Sequence, residues 1–232
     1  MLELFPEGFE EVARSTVVEL AAYTNAEGAT RVWRAFGEVS ASDVPDDWAE
    51  SWRRFHRPAR VGPLWLGPPW ERPPAGALAV VIEPGRAFGT GAHETTRLCL
   101  ERLIALDRGS LLDVGCGSGV LAIAAAKLGF APVYALDHDP PAVEATRRNA
   151  AANGVSVEVR VADAFETSLP SSDVGVANLS LAAVERLALR LSSPVLVASG
   201  YLGTERPRLG PYRAVERHVS GRWACDLCVL AS

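Results

Sequence analysis

The sequence contains almost no lysine. Lys127 is the single lysine among 232 residues, so nearly all of the positive charge is carried by arginine. The formal net charge is −5 at pH 7, and the arginines are scattered along the chain rather than clustered. Because binding to naked nucleic acid requires a basic surface that neutralises phosphates, we expect no direct binding of DNA or RNA.

Long apolar runs are also missing. No run approaches the roughly 18 consecutive apolar residues that span a bilayer, and no charged-then-apolar leader opens the chain. The composition, with 48% hydrophobic and 22% charged residues, is that of a globular protein with a sizeable core. We therefore expect a cytoplasmic protein without membrane contact, and a monomer.

Cysteines are few, and their spacing does not suggest a disulfide framework in a chain of this size. Cys225 and Cys228 form a Cys-x-x-Cys sequence, which is compatible with half a zinc site or a redox pair. No second pair and no nearby histidine cluster would complete a tetrahedral site. We therefore expect no metal, and we interpret the pair as small buried residues of a terminal strand.

The first 57 residues predict a small α+β appendage. Apolar residues within 5–20 recur at helical spacing, residues 30–37 have the composition of a strand, and residues 46–55 suggest a short helix. Prolines are then frequent up to residue 74. Because proline cannot donate a backbone hydrogen bond, we predict a Pro-rich linker over 58–76 without regular structure.

Beyond residue 76 the hydrophobic pattern alternates between strand and helix periods. Predicted strands cover 77–82, 111–114, 133–136, 155–161, 173–177 and 195–198, and predicted helices cover 94–106, 120–128, 141–153 and 181–191. Such alternation predicts a Rossmann-like α/β domain over 77–232, with a doubly wound, mostly parallel sheet. Two β-rich runs within 212–230, separated by Ser220-Gly221, predict a closing hairpin.

A glycine-rich turn follows the predicted strand 111–114. Asp113 precedes it by two residues, and the turn reads Gly115-Cys116-Gly117-Ser118-Gly119. Glycines let the backbone approach a ligand, and the helix that follows presents free N–H groups. The dinucleotide motif G-x-G-x-x-G would require glycine where Val120 stands. The G-x-G-x-G pattern instead resembles the S-adenosylmethionine-binding motif.

Two acidic residues follow the next predicted strands. Asp137 lies at the end of the predicted strand 133–136, about 20 residues after the glycines, where a carboxylate can accept hydrogen bonds from both ribose hydroxyls. That position would also suit NAD. Asp163 follows the predicted strand 155–161 and is placed to accept a hydrogen bond from an adenine amine, with Phe165 beside the ring. The alternative for Asp163 is an ordinary turn residue.

Asn178 lies at the end of the predicted strand 173–177, at the edge where open α/β sheets bind ligands. Methyltransferases that act on amino groups often have Asp/Asn-Pro-Pro-aromatic at this place, and in Ala177-Asn178-Leu179-Ser180 only the asparagine is retained. An amide oxygen there would orient the lone pair of an acceptor nitrogen. The alternative is a helix cap.

The segment Ile82-Glu83-Pro84-Gly85 together with Phe88-Gly89-Thr90-Gly91-Ala92-His93-Glu94-Thr95-Thr96-Arg97-Leu98 resembles the signature of the bacterial ribosomal protein L11 methyltransferases, the PrmA family. Residues 113–124 and 177–179 fit the same family, and the resemblance covers roughly 48–198. It implies a class I methyltransferase fold that uses S-adenosyl-L-methionine. It also implies an N-terminal substrate-recognition region, here 1–57, and methylation of lysine or α-amino groups of ribosomal protein L11.

In that family the cofactor is contacted by the two-threonine helix start, the first turn glycine, the acid at the end of the strand that follows the turn, and the asparagine. These positions correspond to Thr96, Gly115, Asp137 and Asn178. The motifs and the glycine-rich loop add six further cofactor residues: Asp113, Gly117, Asp163, Phe88, Thr90 and Gly91. Asn178 is also the expected catalytic residue, and His93 is interpreted as a capping residue, with a proton relay as the alternative.

Two departures from the family pattern leave the acceptor open. The N-terminal region is shorter than in most members, and residues 203–210 are broken by Pro207 where members have a fuller helix. One alternative is a lysine methyltransferase of another protein, of the electron-transfer-flavoprotein β-subunit type. A second is a non-catalytic cofactor-binding protein, which the intact glycines and Asp137 argue against, and a third is a nicotinamide oxidoreductase, which Val120 opposes.

Overall fold

The computed structural model describes residues 10–14, 17–21, 24, 26–37, 39–40, 58–84 and 93–231. The chain divides into two compact units, residues 1–53 and residues 54–232. Each unit is described by itself below.

The N-terminal unit contains a strand pair and one helix. Strands β1 (Glu10–Arg14) and β2 (Val17–Ala21) pair antiparallel, and helix α1 spans Ala26–Phe36. The predicted helix over 5–20 and strand over 30–37 are therefore wrong where these residues are described. Gly37, at φ 78°, donates its N–H to the Trp33 carbonyl at 2.9 Å, which is the left-handed glycine end of a helix. Residues 46–55 lie outside the described residues.

The proline-rich segment forms regular structure in its first part. Strands β3 (Ala59–Val61), β4 (Leu64–Gly67) and β5 (Leu78–Val81) make a three-stranded sheet. The prediction of a linker without hydrogen-bonded structure is therefore wrong over 59–67. The prolines flank these strands, as at Pro63 between β3 and β4, so no ladder hydrogen bond is lost.

The main sheet has seven strands in the order β11-β12-β10-β9-β6-β7-β8. The strands are β6 (Leu111–Val114), β7 (Val133–Asp137), β8 (Glu158–Val161), β9 (Val174–Asn178), β10 (Val195–Leu202), β11 (Tyr212–Ser220) and β12 (Trp223–Leu230). Strands β6 to β10 are mutually parallel, and β12 pairs antiparallel with both β10 and β11. This confirms the predicted Rossmann-like sheet and its closing hairpin.

Helices cover both faces of this sheet. They are α2 (Glu94–Ala105), α3 (Val120–Leu128), α4 (Pro140–Ala152) and α5 (Leu181–Ala188). Leu111 packs in the core layer that contains residues of α2, α3 and α4, whereas Leu112 and Val114 pack in the layer that contains residues of α5. Alternate residues of a strand thus supply the two layers. None of the helices described is long and apolar enough to cross a membrane.

The Cys-x-x-Cys sequence lies within β12. Cys225 packs in the first core layer and Cys228 in the second, and both are buried free thiols. Residues three apart in a strand point to opposite faces, so this pair cannot close a disulfide or share one metal ion. No group of three or more potential metal-ligating side chains was found in the part of the chain that the structure describes. The interpretation of both cysteines as buried strand residues is confirmed.

Candidate active site

The ends of three neighbouring strands bring the motifs together. In register, Val114 of β6 lies beside Leu136 of β7 and Ala177 of β9. The glycine turn after β6, Asp137 and Asn178 therefore meet at the carboxyl edge of the sheet. The order of connections also reverses beside β6, since the chain runs outward to β7 and β8 on one side and to β9 on the other. This is where open α/β sheets bind ligands.

The glycine turn has three residues in the left-handed region. Gly115, Gly117 and Gly119 have φ of 74°, 55° and 84°, which only glycine adopts readily. A Cβ on Gly115 would also lie 2.4 Å from Leu179 Cδ2. The sequence G-x-G-x-G is thus required by backbone conformation, and at Gly115 by close packing as well.

Asp137 borders this turn. Its Oδ2 accepts a hydrogen bond from the Gly117 N–H at 2.9 Å, and its Oδ1 accepts one from the Asp139 N–H at 3.0 Å. The side chain is largely buried. The carboxylate is therefore held by backbone at the mouth of the turn. Asp139 stands at the N-cap position of α4, but its side chain makes no capping hydrogen bond.

Asp113 lies behind the turn, buried in the core. Its Oδ2 accepts a hydrogen bond from the Ala122 N–H at 3.1 Å, which ties β6 to the first turn of α3. Burial raises the pKa of Asp113 to about 7, the hydrogen bond from Ala122 opposes the rise, and the charge of Asp137 adds to it. The cofactor contact expected of Asp113 stays a prediction.

Asp163 occupies a turn after β8. Its Oδ1 accepts a hydrogen bond from the Phe165 N–H at 2.7 Å, as in the turn interpretation. Ala162 donates its N–H to the Asp137 carbonyl at 2.8 Å, so Asp163 lies close to the end of the neighbouring strand β7. The Arg186 guanidinium lies 4.0 Å from the centre of the half-buried Phe165 ring. A turn role for Asp163 leaves its second oxygen open to an adenine contact, which stays a prediction.

Asn178 contacts the start of α2. Its Nδ2 donates to Oγ1 of the buried Thr96 at 3.4 Å. Within the described part of the chain, no hydrogen bond to the Asn178 amide oxygen is present. Helix α5 begins at Leu181 with Ser180 at its N-cap, so the alternative that Asn178 caps this helix is wrong.

His93 caps α2. Its Nδ1 accepts a hydrogen bond from the Thr95 N–H at 3.3 Å and lies 2.7 Å from the Thr95 hydroxyl. The Trp223 ring contacts the imidazole edge-on, with 5.1 Å between centroids. Burial lowers the pKa of His93, against the charge of Glu94. The capping interpretation is confirmed, whereas Phe88, Thr90 and Gly91 lie outside the described residues.

Gly200 belongs to the site although no motif singled it out. Its φ is 101°, and a Cβ there would lie 2.1 Å from the Leu179 carbonyl oxygen. The Leu179 N–H donates to the Ser199 carbonyl at 2.9 Å. Glycine at the end of a strand pattern is the signal for such a close backbone approach, here between β10 and the residue after Asn178.

A surface cleft of about 330 Å³ lies elsewhere, and none of the site residues lines it. Its charged lining includes Arg217 and Asp226. The Arg217 guanidinium donates to Asp226 Oδ2 at 2.7 Å and to the Glu205 carbonyl at 2.6 Å. This ion pair is an internal structural contact, so the sheet edge remains the candidate active site.

Comparisons with known proteins place the chain in a family. Residues 10–205 match the family model described as ribosomal protein L11 methyltransferase (PrmA). A ribosomal protein L11 methyltransferase of Symbiobacterium thermophilum is 46% identical over 139 residues, which are 58% of this chain and 46% of that protein. One of Caldanaerobacter subterraneus is 41% identical over 172 residues, 68% of this chain and 56% of the relative. The chain thus spans about half the length of the relatives it matches.

Among solved structures, the crystal structure of a ribosomal protein L11 methylase from Lactobacillus delbrueckii is similar to this chain. Its TM-score is 0.67 and its sequence identity 26%, and the match covers 76% of this chain and 100% of that one. The similarity therefore extends well beyond the motifs alone.

Proposed function

We propose that this chain, which belongs to the ribosomal protein L11 methyltransferase (PrmA) family, is an S-adenosyl-L-methionine-dependent N-methyltransferase of protein amines. The observation that carries the proposal is the meeting of three features at one sheet edge. These are the left-handed glycine turn, the Asp137 carboxylate and the Asn178–Thr96 pair.

The residues present fit this cofactor. The glycine turn gives close backbone access, and a carboxylate beside it suits a ribose diol. Asp137 uses one lone pair on each oxygen for a backbone N–H, and each carboxylate oxygen has a second. Oδ1 also lies 3.4 Å from Nδ1 of the exposed His138 side chain. Beside these contacts the two oxygens have acceptor capacity left for ribose hydroxyls. Asn178 at the end of β9 and Thr96 at the start of α2 contact each other, and the methionine part would extend toward this pair.

When bound, S-adenosylmethionine supplies a methyl group whose carbon–sulfur bond breaks, leaving its electron pair on sulfur, as the acceptor nitrogen forms the new bond. Asn178 Oδ1 accepts a hydrogen bond from the neutral amine and so directs the nitrogen lone pair. Because Thr96 holds the NH2 end of the same amide, the oxygen end is oriented away from Thr96. Positioning of this kind lowers the barrier without a general base at the moment of transfer.

Charge develops on the acceptor nitrogen during transfer. The amide dipole of Asn178 stabilises the charged transition state more than it stabilises the neutral ground state. A lysine acceptor must lose a proton first, and burial against this edge lowers the pKa of its ammonium group. All of these groups come from one chain, so a monomer suffices.

The acceptor we propose is lysine and α-amino groups of ribosomal protein L11. The relatives are described as methyltransferases of that protein, and the region 1–57 would contribute to recognising it. We place the reaction in the cytoplasm, on protein rather than nucleic acid.

The test is transfer of tritium from labelled S-adenosylmethionine, first to purified ribosomal protein L11 and then in a cell lysate resolved by gel. The expected result is labelled L11 that yields methylated lysine or α-amino residues on hydrolysis. If the label appears only in a protein of another size, ribosomal protein L11 is not the acceptor, and the alternative of a lysine methyltransferase of another protein is supported. Absence of any labelled protein, with normal binding of S-adenosylhomocysteine, would support the non-catalytic alternative.

A further inference from the structure

Helix α4 places two buried polar side chains against the glycine turn, on the side of its carbonyls. Thr146 Oγ1 donates to the Gly117 carbonyl at 3.0 Å, and Asn149 Nδ2 donates to the Ser118 carbonyl at 2.9 Å. The two residues are three positions apart and share one face of α4. Thr146 is 0% and Asn149 4% exposed, so both donor side chains are sheltered from water.

These hydrogen bonds set the orientation of the peptide groups in the turn. In a trans peptide the C=O and the following N–H point in opposite directions. A Gly117 carbonyl directed at α4 therefore turns the Ser118 N–H away from α4. A Cβ on Gly119 would lie 2.7 Å from Thr146 Cγ2, so α4 packs directly against the turn.

The same contacts extend to the carboxylate of Asp137. The Gly117 N–H donates to Asp137 Oδ2 at 2.9 Å, while the Gly117 carbonyl is held by Thr146. Cys116 Sγ also lies 3.4 Å from the Thr146 hydroxyl. Rotation of the turn would therefore disturb the group expected to bind the ribose.

Asn149 also binds a second element. Its Oδ1 accepts a hydrogen bond from the Glu83 N–H, just beyond β5, at 3.2 Å. One turn later, Asn153 accepts from the Val81 N–H at 2.8 Å and donates to the Val81 carbonyl at 2.6 Å. Asn153, the C-cap residue of α4, is also buried and binds the same strand. Its Nδ2 donates to the Asn149 carbonyl at 2.8 Å as well, but none of its hydrogen bonds in the described structure reaches the glycine turn. It is a natural matched control.

We propose that Thr146 and Asn149 are positioning residues of the cofactor site, which hold the carbonyls of Gly117 and Ser118 so that the turn and Asp137 keep the geometry that binds the cofactor. This inference rests on the proposed use of S-adenosylmethionine at this turn. It predicts that the two side chains control cofactor affinity beyond their contribution to stability.

The test uses near-isosteric substitutions in the whole chain. Asn149→Asp keeps an acceptor for Glu83 but sets a carboxylate oxygen against the Ser118 carbonyl, and Thr146→Val removes the hydroxyl donor. Thr146→Ser restores that donor, and Asn153→Asp makes the same chemical change as Asn149→Asp without touching the turn. For each variant, the dissociation constant of S-adenosylhomocysteine is measured by calorimetry and the melting temperature by circular dichroism.

We expect Asn149→Asp to weaken binding about tenfold or more and Thr146→Val by about three- to tenfold, since one lost buried hydrogen bond corresponds to roughly that factor. Thr146→Ser and Asn153→Asp should stay within about twofold of the wild type, although Asn153→Asp also lowers the melting temperature. If Asn149→Asp does not fold, the comparison of Thr146→Val with Thr146→Ser tests the inference by itself.

Two results would overturn the inference. One is wild-type affinity in both Thr146→Val and Asn149→Asp. The other is an equal loss of affinity in Asn153→Asp, because affinity would then follow stability alone. Failure of the proposed function is distinguishable, since in that case the folded wild-type chain itself does not bind S-adenosylhomocysteine.

Discussion

The two halves of the candidate active site are held in different ways. In the cofactor half, the Asp137 carboxylate accepts two backbone N–H groups at 2.9 and 3.0 Å, and α4 holds the turn beside it. In the acceptor half, Asn178 is held by one side-chain hydrogen bond of 3.4 Å, near the upper limit for such a bond. The cofactor half is thus fixed within the chain, whereas the acceptor half has one oxygen left for a substrate amine.

The difference suggests a division of labour that mutations can separate. Changes in the cofactor half should act on affinity, because a rigid site loses binding when its geometry is altered. Changes in the acceptor half should act on rate, because Asn178 Oδ1 has its strongest interaction only when charge develops on nitrogen. The predictions below test this separation.

The largest effect is expected for Asn178→Ala in the acceptor half. It should lower the single-turnover rate about ten- to a thousandfold, the range for a preorganised polar group near developing charge. Affinity for S-adenosylhomocysteine should change much less. Ser180→Ala, at the N-cap of α5 but without a side-chain capping bond, is the control. An unchanged rate with a lowered melting temperature would remove Asn178 from the chemistry.

In the cofactor half, Asp137→Ala should weaken binding of S-adenosylhomocysteine by about 1.5–3 kcal/mol, the range for charge-assisted hydrogen bonds to hydroxyls. Calorimetry measures this loss directly. In the same experiment, the wild-type protein should bind NAD much more weakly than it binds S-adenosylhomocysteine. Asp139→Ala is matched, because Asp139 is also acidic and two residues away but makes no side-chain capping bond. Equal affinities in both variants would mean that the ribose is held elsewhere.

Asp113 sharpens the comparison through pH. Its folded pKa of about 7 lies above its ordinary value of 3.8, so the protonated carboxyl stabilises the fold fully below pH 3.8. That stability is lost as pH rises through about 7. Asp113→Asn, which mimics the neutral form, should reduce the loss of unfolding free energy between pH 5 and pH 8 by on the order of 2 kcal/mol.

Urea unfolding of the cofactor-free protein at both pH values measures this difference, and the subtraction from wild type cancels the contributions of the histidines. Asp173→Asn is the control, because the hydrogen bonds from Ser110 lower the pKa of Asp173, and its effect therefore falls below pH 3.8. The same pH dependence in Asp113→Asn and wild type would show that Asp113 is ionised in the folded protein.

Much of the cofactor half could be predicted from the sequence, since its information is local. Glycine at positions 115, 117 and 119 indicates a backbone conformation that other residues rarely adopt. The strand and helix periods beyond residue 76 place Asp137 and Asn178 at strand ends. Thr146 and Asn149 were missed for the opposite reason. They lie on a helix at ordinary positions, and only the packing of α4 against the turn reveals their partners.

The errors in the N-terminal unit and the linker also have physical causes. Strands β1 and β2 are five residues each, too short for a period of two to be told from a period of 3.6. In α1, the β-branched and aromatic residues favoured the prediction of a strand, although the alanines and Gly37 after the helix favour a helix. For β3 and β4, the prolines lie at the strand ends. Their frequency predicted that the whole segment lacks regular structure, although the short stretches between them form strands.

The smallest effect is expected for His93, at the start of the helix that holds Thr96. His93→Ala removes the acceptor for the Thr95 N–H and should lower the unfolding free energy by about 1 kcal/mol. His93→Asn keeps a capping oxygen and should stay within a few tenths of a kcal/mol of wild type.

If His93 only caps α2, Asn178 keeps its Thr96 contact in His93→Asn, and the single-turnover rate with the acceptor is unchanged. A proton relay requires the imidazole itself, so both variants would then lose rate together while only His93→Ala loses stability. Chemical denaturation and single-turnover kinetics on the same two preparations therefore separate a cap from a relay.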